Sequence, residues 1–366
     1  MAHGAQELGI NLSFSLSQVF EMGQLAIYEN VEDLPNVEAT ASKILDGYSP
    51  LYLLSTTAAT TPTLTGRSTA RCSIQMGLWE DTVAAATGSD PPVRQVLISG
   101  AYINSVSYNF PVDDNFNESV TWVANDLFWS NSSGAPAQAS FPNLDTTFLG
   151  GDTPLSANGS GGINRRENII FGPAPTLALE SGLDRNGISR AANCTVLPLD
   201  IPGISSSGIN LLNSDGFYTA NVQSISVSVD FGREDILQLG SRGPFFKFLQ
   251  TPTEVTTSID VHAVSGAAVS ATQVGVYAGT AGLCTDRYNL VARTIRIATC
   301  EGLRLYLGYA NKLTSVNDQG GGTDGSNRTT TFAYSNFNDF TVGHFSDPNA
   351  VLRPTGDNLS TYFAPS

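Results

Sequence analysis

Positive charge is scarce in this chain. Of 366 residues, 18 are Lys or Arg against 33 Asp or Glu, a formal net charge of −15 with a pI near 4.5. A surface of that sign repels duplex DNA, because nucleic-acid binders gain affinity by neutralising phosphates with Lys and Arg. Composition therefore disfavours DNA binding, though not contact with DNA. Sulfur is scarce too: Cys72, Cys194, Cys284 and Cys300 are too far apart for a CxxC motif or a disulfide framework and read as buried free thiols. His3, His262 and His344 are too few and too scattered for a metal cluster or a general-base constellation, and His262, ending an alternating strand, reads as a surface or edge residue. GxSxG, HExxH and Walker A patterns are absent. No apolar run approaches about 18 residues, and MAHGAQELGINLSFSLSQVF has neither a basic n-region nor an apolar h-region. The expectation is a soluble protein with no membrane span and no secretory signal, in which the Asn-x-Ser/Thr triplets at Asn117 and Asn131 arise by chance.

What is abundant points to sheet. With 35 Gly, 18 Pro, only 14% charged residues and 41% apolar residues, the chain has the profile of a sheet-and-turn protein able to bury a real core. EVTTSIDVHA puts Glu254, Thr256, Ser258, Asp260 and His262 on one face and Val255, Thr257, Ile259, Val261 and Ala263 on the other. NVQSISVSVD alternates in the same way, with Ser224, Ser226, Ser228 and Asp230 opposite Ile225, Val227 and Val229. The stretch from Ile103 to Tyr108 echoes Val222 to Val227 and runs through the turn FPVDDN into a second strand, FNESVTWVAND, which raises the question of an internal duplication. ARTIRIAT and GLRLYLGYA read as a hairpin about Cys300 and Glu301, and RTTTFAYSNFNDFTV as a further strand.

Between the strands, FGREDILQLGSRG reads as a short helix: Glu234 and Asp235 suit its first turn, Ile236, Leu237 and Leu239 form an apolar side, and Gly240 ends it. At under about 10 residues such a helix is marginal alone and must pack on a sheet or a neighbouring subunit. Two near-motifs fail on context. Gly320, Gly322 and Gly325 fit GxGxxG but lead into a strand, and the calcium-like loop from Asp113 has Glu118 in place of its Gly and Ala124 where an acid belongs. Acid pairs such as Asp113 and Asp114 carry no weight among 33 acids. The reading is of a protein that is not an enzyme and needs no cofactor or metal.

Four segments carry a resemblance: VFEMGQLAIYENVEDLPNVEATASKILDGY, INSVSYNFPVDDNFNESVTWVAND, VQSISVSVDFGREDILQLGSRGPFFKFLQTPTEVTTSIDVHA, and RTIRIATCEGLRLYLGYANKLTSV with YSNFNDFTV. They resemble the tail tube proteins of tailed bacteriophages, from about Val19 to Val342 and most closely around Val222 to Ala263. The resemblance implies an all-β protein, a single tail-tube-like domain over residues 1–366 with a flanking helix and long loop insertions near 130–164 and 181–214. It implies subunits that assemble as hexameric rings forming a closed barrel, stacked into a hollow tube. Viral DNA passes through that tube without specific binding, in a virion tail assembled in the host cytoplasm. Other tail proteins, such as sheath, terminator, baseplate or tape measure, would be its partners. On this reading Glu118, Glu254 and Asp260 face the lumen, while Ile236, Leu237 and Leu239 dock on the neighbouring subunit. The alternatives are another β-rich virion protein (tail adaptor, capsid decoration or head-completion protein) and a glycan-binding β-protein.

Overall fold

The computed structural model describes most of residues 4–80 and 93–130, the strands at 167–172 and 197–199, and most of 221–262 and 292–344. The two long insertions near 130–164 and 181–214 lie outside the described residues, as do Cys194, Cys284, Cys300 and His3.

The first part of the chain forms β1 (Ala5–Ser13), β2 (Leu16–Phe20), β3 (Ile27–Glu32), β4 (Asn36–Ile44), helices α1 (Leu51–Ser55) and α2 (Leu64–Ser68), β5 (Cys72–Leu78), β6 (Arg94–Pro111), β7 (Asn117–Ala124) and β8 (Asp126–Ser130). Two short strands follow, β9 (Glu167–Gly172) and β10 (Leu197–Leu199). The last part forms β11 (Asn221–Asp230), β12 (Arg233–Ile236), β13 (Phe246–Leu249), β14 (Glu254–His262), β15 (Arg296–Ala298), β16 (Arg304–Tyr306), β17 (Lys312–Gln319), β18 (Thr329–Phe337) and β19 (Thr341–Gly343). The protein is mainly β, as its composition requires.

Eight antiparallel strands run side by side in the order β1-β4-β7-β6-β11-β14-β18-β17. The alternation read from the sequence sets their faces: Val255, Ile259 and Val261 are buried with Ile225, Val227 and Val229, while Ser226, Ser228 and Thr256 are exposed. The buried face shares one core with a second layer, in which Cys72, Ile74 and Ile98 from one end and Ile295, Ile297, Leu305 and Val342 from the other pack against the large sheet. β6 belongs to both layers. Its first half pairs with β5 and β8 and its second half with β7 and β11.

The segment from Arg233 to Leu239 is not a helix. Residues Arg233–Ile236 are a strand paired with Phe246–Leu249, and Lys247 Nζ lies 2.6 Å from Asp235 Oδ1 across the hairpin. Local acid placement favours a helix, but so short a helix has little stability of its own, and tertiary contacts decide the outcome. Gly232 takes a left-handed φ of 48°, Phe231 is buried, Arg233 Nε donates to the Ile103 carbonyl at 2.8 Å, and Phe246 packs edge-on to Tyr102. The flanking helical role falls instead to α1. Its Tyr52 packs on Phe231 and Phe340, so a helix from the first part is held against the last part.

The described strands form a tandem repeat in register. The order β1-β4-β7-β6 recurs as β11-β14-β18-β17, with the strands in the same order along the chain. In β1·β4 the pairing steps from Ala5↔Lys43 to Glu7↔Ser42; in β11·β14 it steps from Val222↔Val261 to Ser224↔Asp260, so the same bulge sits at the same place. β6·β7 steps from Ile103↔Trp122 to Ser105↔Thr121, and β17·β18 from Leu313↔Tyr334 to Ser315↔Ala333. The central pairing transfers too: Ala41↔Val120 becomes Ile259↔Phe332. The second layer repeats as β8-β6-β5 and β19-β16-β15, and the hairpin β2-β3 recurs as β12-β13, with Leu16↔Glu32 matched by Arg233↔Leu249. The echo between Ile103–Tyr108 and Val222–Val227 thus joins two neighbouring strands, paired at Tyr108↔Val227, rather than two equivalent ones. The equivalent of β11 is β1.

Candidate functional site

Three features stand out from the framework: a hydrated sheet face, a buried polar cluster beneath it, and a pair of apolar hairpins.

The hydrated face is built from small hydroxyl and amide side chains. Ser42, Ser107, Asn109, Ser119, Thr121, Ser226, Ser228, Thr256, Ser258 and Thr331 all fall on it by strand parity. Among the described residues its acids are Glu7, Glu38, Asp230, Glu254 and Asp260, against a single Lys or Arg, Lys312. Two of the sequence-predicted residues are here. Glu254 accepts from Ser335 Oγ at 2.7 Å; Asp260 accepts from Ser224 Oγ and, at 2.6 Å, from Thr331 Oγ1. Their contacts are hydroxyl donors on the adjacent strands, which fix the carboxylates without cancelling their charge. His262, at the end of the same strand, is half-buried on this face.

Glu118 is elsewhere. It is fully buried on the packed side of β7, so it cannot face a lumen. Reading onward from the Asp113 turn puts it near the wet strand faces, but along β7 it shares parity with Val120 and Trp122, both buried. Its carboxylate anchors a helix. Oε2 accepts the Leu51 N–H at 2.5 Å, and Oε1 accepts the Tyr52 N–H at 3.0 Å and the Tyr108 hydroxyl at 2.7 Å. Pro50 supplies no side-chain cap to α1, so Glu118 satisfies the backbone donors that open this helix. Lys43 stands opposite Glu118 in the β4·β7 register and is itself buried, bonded to Asp46 at 2.7 Å. Burial pushes the Glu118 carboxyl above the usual carboxylate range, against the opposing pull of Tyr108, the two backbone amides and Lys43; burial and then Glu118 push the Tyr108 phenol well up. Trp122 completes the tie, its Nε1 donating to Ser55 Oγ at 3.0 Å.

The hairpins carry the other predicted residues. Ile236 is 43% exposed, Leu237 66% and Leu239 104%; their repeat equivalents Val19, Phe20 and Met22 are 42%, 61% and 101% exposed. Val31 and Phe248, on the returning strands, are also equivalent and are both about half exposed. Large apolar side chains are therefore turned outward at matching places in both halves. A scattered exposed Leu needs no explanation, whereas a matched group of apolar side chains is the signature of an interaction surface. The sequence contains the signal: Val19-Phe20-Glu21-Met22-Gly23 and Ile236-Leu237-Gln238-Leu239-Gly240 share one pattern.

Cys72, the described cysteine, is buried, and burial pushes its thiol up to about 12, the state of an unreactive core thiol. No group of His, Cys, Asp and Glu among the described residues is arranged to hold a metal ion, and no described helix is long and apolar enough to cross a membrane. No protein-family model and no curated protein matches the chain.

Proposed function

We propose that the protein is a tail tube subunit of a tailed bacteriophage, a structural virion protein whose copies close into stacked rings around a conduit for DNA. The observation that carries the reading is the hydrated face of the eight-stranded sheet: a continuous antiparallel surface of hydroxyls and amides with an excess of acids. Such a surface suits the lining of a DNA channel, because a wall that bound phosphates would hold the strand back and acids on the wall prevent this. The opposite face is already covered by the second layer and α1, so it is the hydrated one that remains to enclose a lumen. The paired apolar hairpins supply contacts between neighbouring subunits or rings. Because the four-stranded unit occurs twice per chain, a ring of six such units closes on three chains rather than six.

Negative-stain electron microscopy of the purified protein over a concentration series tests this. Stacked rings with a central hole at least as wide as duplex DNA are the expected result. Small separate particles that bind a capsid shell would establish a decoration protein, and retention on a glycan matrix would establish a sugar binder.

A second measurement addresses the wall. Exchanging Glu254 and Asp260 together for Lys is expected to slow DNA release from assembled virions while leaving tube length unchanged. Release at the parental rate would remove these two residues from the lumen.

A further inference from the structure

The register repeat fixes how one chain meets the next. We infer that β17 of one copy pairs antiparallel with β1 of a second copy, in the register that β6 and β11 use inside the chain.

The internal joint supplies the pattern. The first unit ends laterally in β6 and the second begins in β11, and these two strands pair over seven positions from Ser224↔Pro111 to Asp230↔Ser105. In the second unit the place of β6 is taken by β17, and in the first unit the place of β11 is taken by β1. Among the described residues, β1 pairs with β4 alone and β17 with β18 alone, so the sheet ends in two edges that are the counterparts of two strands already joined. The sheet therefore displays both halves of a joint whose geometry it contains at its centre.

Transferring that joint gives definite partners. Val229↔Val106 becomes Leu12 opposite Val316, Ser228↔Ser107 becomes Asn11 opposite Asn317, and Asp230↔Ser105 becomes Ser13 opposite Ser315. The faces agree: Leu12 and Val316 lie on the core side, Asn11 and Asn317 on the hydrated side. The two apolar residues are under-covered for core-side positions, Leu12 being 37% exposed and Val316 half-buried, while their internal counterparts Val229 and Val106 are each 1% exposed. A strand arriving at each edge would complete their burial. Asp318, which falls opposite Ile10, is already held by Arg328 and Thr330. Neither edge strand contains a proline, each is eight or nine residues long, and the bulges they carry also occur in β11 and β6, which pair nonetheless. The occupant is a second copy of this chain, which presents the complementary edge in matching register.

This deepens the tube reading and rests on it only for the closure of paired chains into rings. The test uses the full-length protein with cysteine pairs. Directly opposed residues in an antiparallel sheet have Cβ atoms about 4.5–5.5 Å apart, close enough to trap a disulfide where the pair is a narrow one. Since narrow and wide pairs alternate, Leu12→Cys with Val316→Cys and Asn11→Cys with Asn317→Cys are both made. One of the two should oxidise to a ladder of covalent oligomers whose largest band counts the chains in a ring. Leu12→Cys with Asp318→Cys, two residues out of register, and each single variant should stay monomeric on non-reducing gels. Rings in the microscope with neither in-register pair cross-linking would overturn the inference and leave the tube reading standing. Cross-linking without any ring would support the edge pairing and remove the tube reading. Equal cross-linking of the shifted pair, or a chain that stays monomeric at every concentration, would overturn the proposed register.

Discussion

Glu118→Gln is expected to lower stability by about 1–3 kcal/mol, the cost of leaving a buried backbone N–H facing another donor. Every donor aimed at Glu118 requires an acceptor on both carboxylate oxygens: the Leu51 amide on one, the Tyr52 amide and the Tyr108 hydroxyl on the other. A glutamine can satisfy one side, but its NH2 then meets an N–H on the other. The opening turn of α1 loses its anchor, and Lys43 loses the negative charge opposite it. Urea denaturation followed by circular dichroism measures the change, with Tyr108→Phe as the comparison that removes a single donor. That variant removes one hydrogen bond to a charged group and should cost about 1.5–3 kcal/mol.

The pH dependence has a definite sign. Burial raises the folded-state pKa of Glu118 above its unfolded value, so the folded protein binds the proton more tightly. Its contribution to stability is then greatest in acid, below the unfolded pKa, and falls as pH rises through the raised folded pKa. The parental protein should lose stability across that window relative to Glu118→Gln, whose own contribution is flat. The difference between the two unfolding free energies should therefore shrink as pH rises. A difference that grows with pH above the ordinary carboxylate range would mean that the surrounding donors outweigh the cost of burial.

The double substitution Phe20→Asp with Leu237→Asp should abolish assembly while leaving the chain folded. Both side chains are more than 60% exposed, so neither supports the monomer core. Burying a side chain of this size against a neighbour is worth about 1.5–3 kcal/mol, and about 1.4 kcal/mol is tenfold in affinity. Two equivalent losses, each with a carboxylate forced toward an apolar contact, should raise the concentration needed for assembly by roughly 100-fold or more. Sedimentation velocity reads the assembly, and an unchanged melting curve establishes that the fold is intact. Rings forming at the parental concentration would place these hairpins outside every interface.

Much of this molecule can be read from its residues. The alternation in Glu254–His262 and Asn221–Asp230 correctly separates core from solvent, because a period of two leaves only one consistent choice of face. The β15·β16 pairing is equally plain in two short apolar alternations about a turn. The helix expected over Gly232–Gly240 fails where charge placement outweighs contacts that only the folded chain supplies, such as Arg233 against the Ile103 carbonyl. Glu118 is misplaced for a related reason: a buried carboxylate is legible only once its donors, Tyr108 and the start of α1, are brought from other parts of the chain. The repeat is hidden because the two halves share register and exposure more than identity. Lys43 and Glu118 in the first half correspond to Val261 and Thr330 in the second. Only the hairpin pattern ending at Gly23 and Gly240 survives openly in the sequence.

The joint between β6 and β11 has a mechanical corollary. In the proposed ring, seams of two kinds would alternate, one stitched by a continuous polypeptide and one held by contacts alone. At the stitched seams the partners are tethered at a high effective concentration whatever the dilution, so only every second seam has to form by collision. Dilution and outward pressure then act on the same places. Such a tube would come apart into whole chains and never into single four-stranded units, and a crack in its wall would run along the unstitched seams.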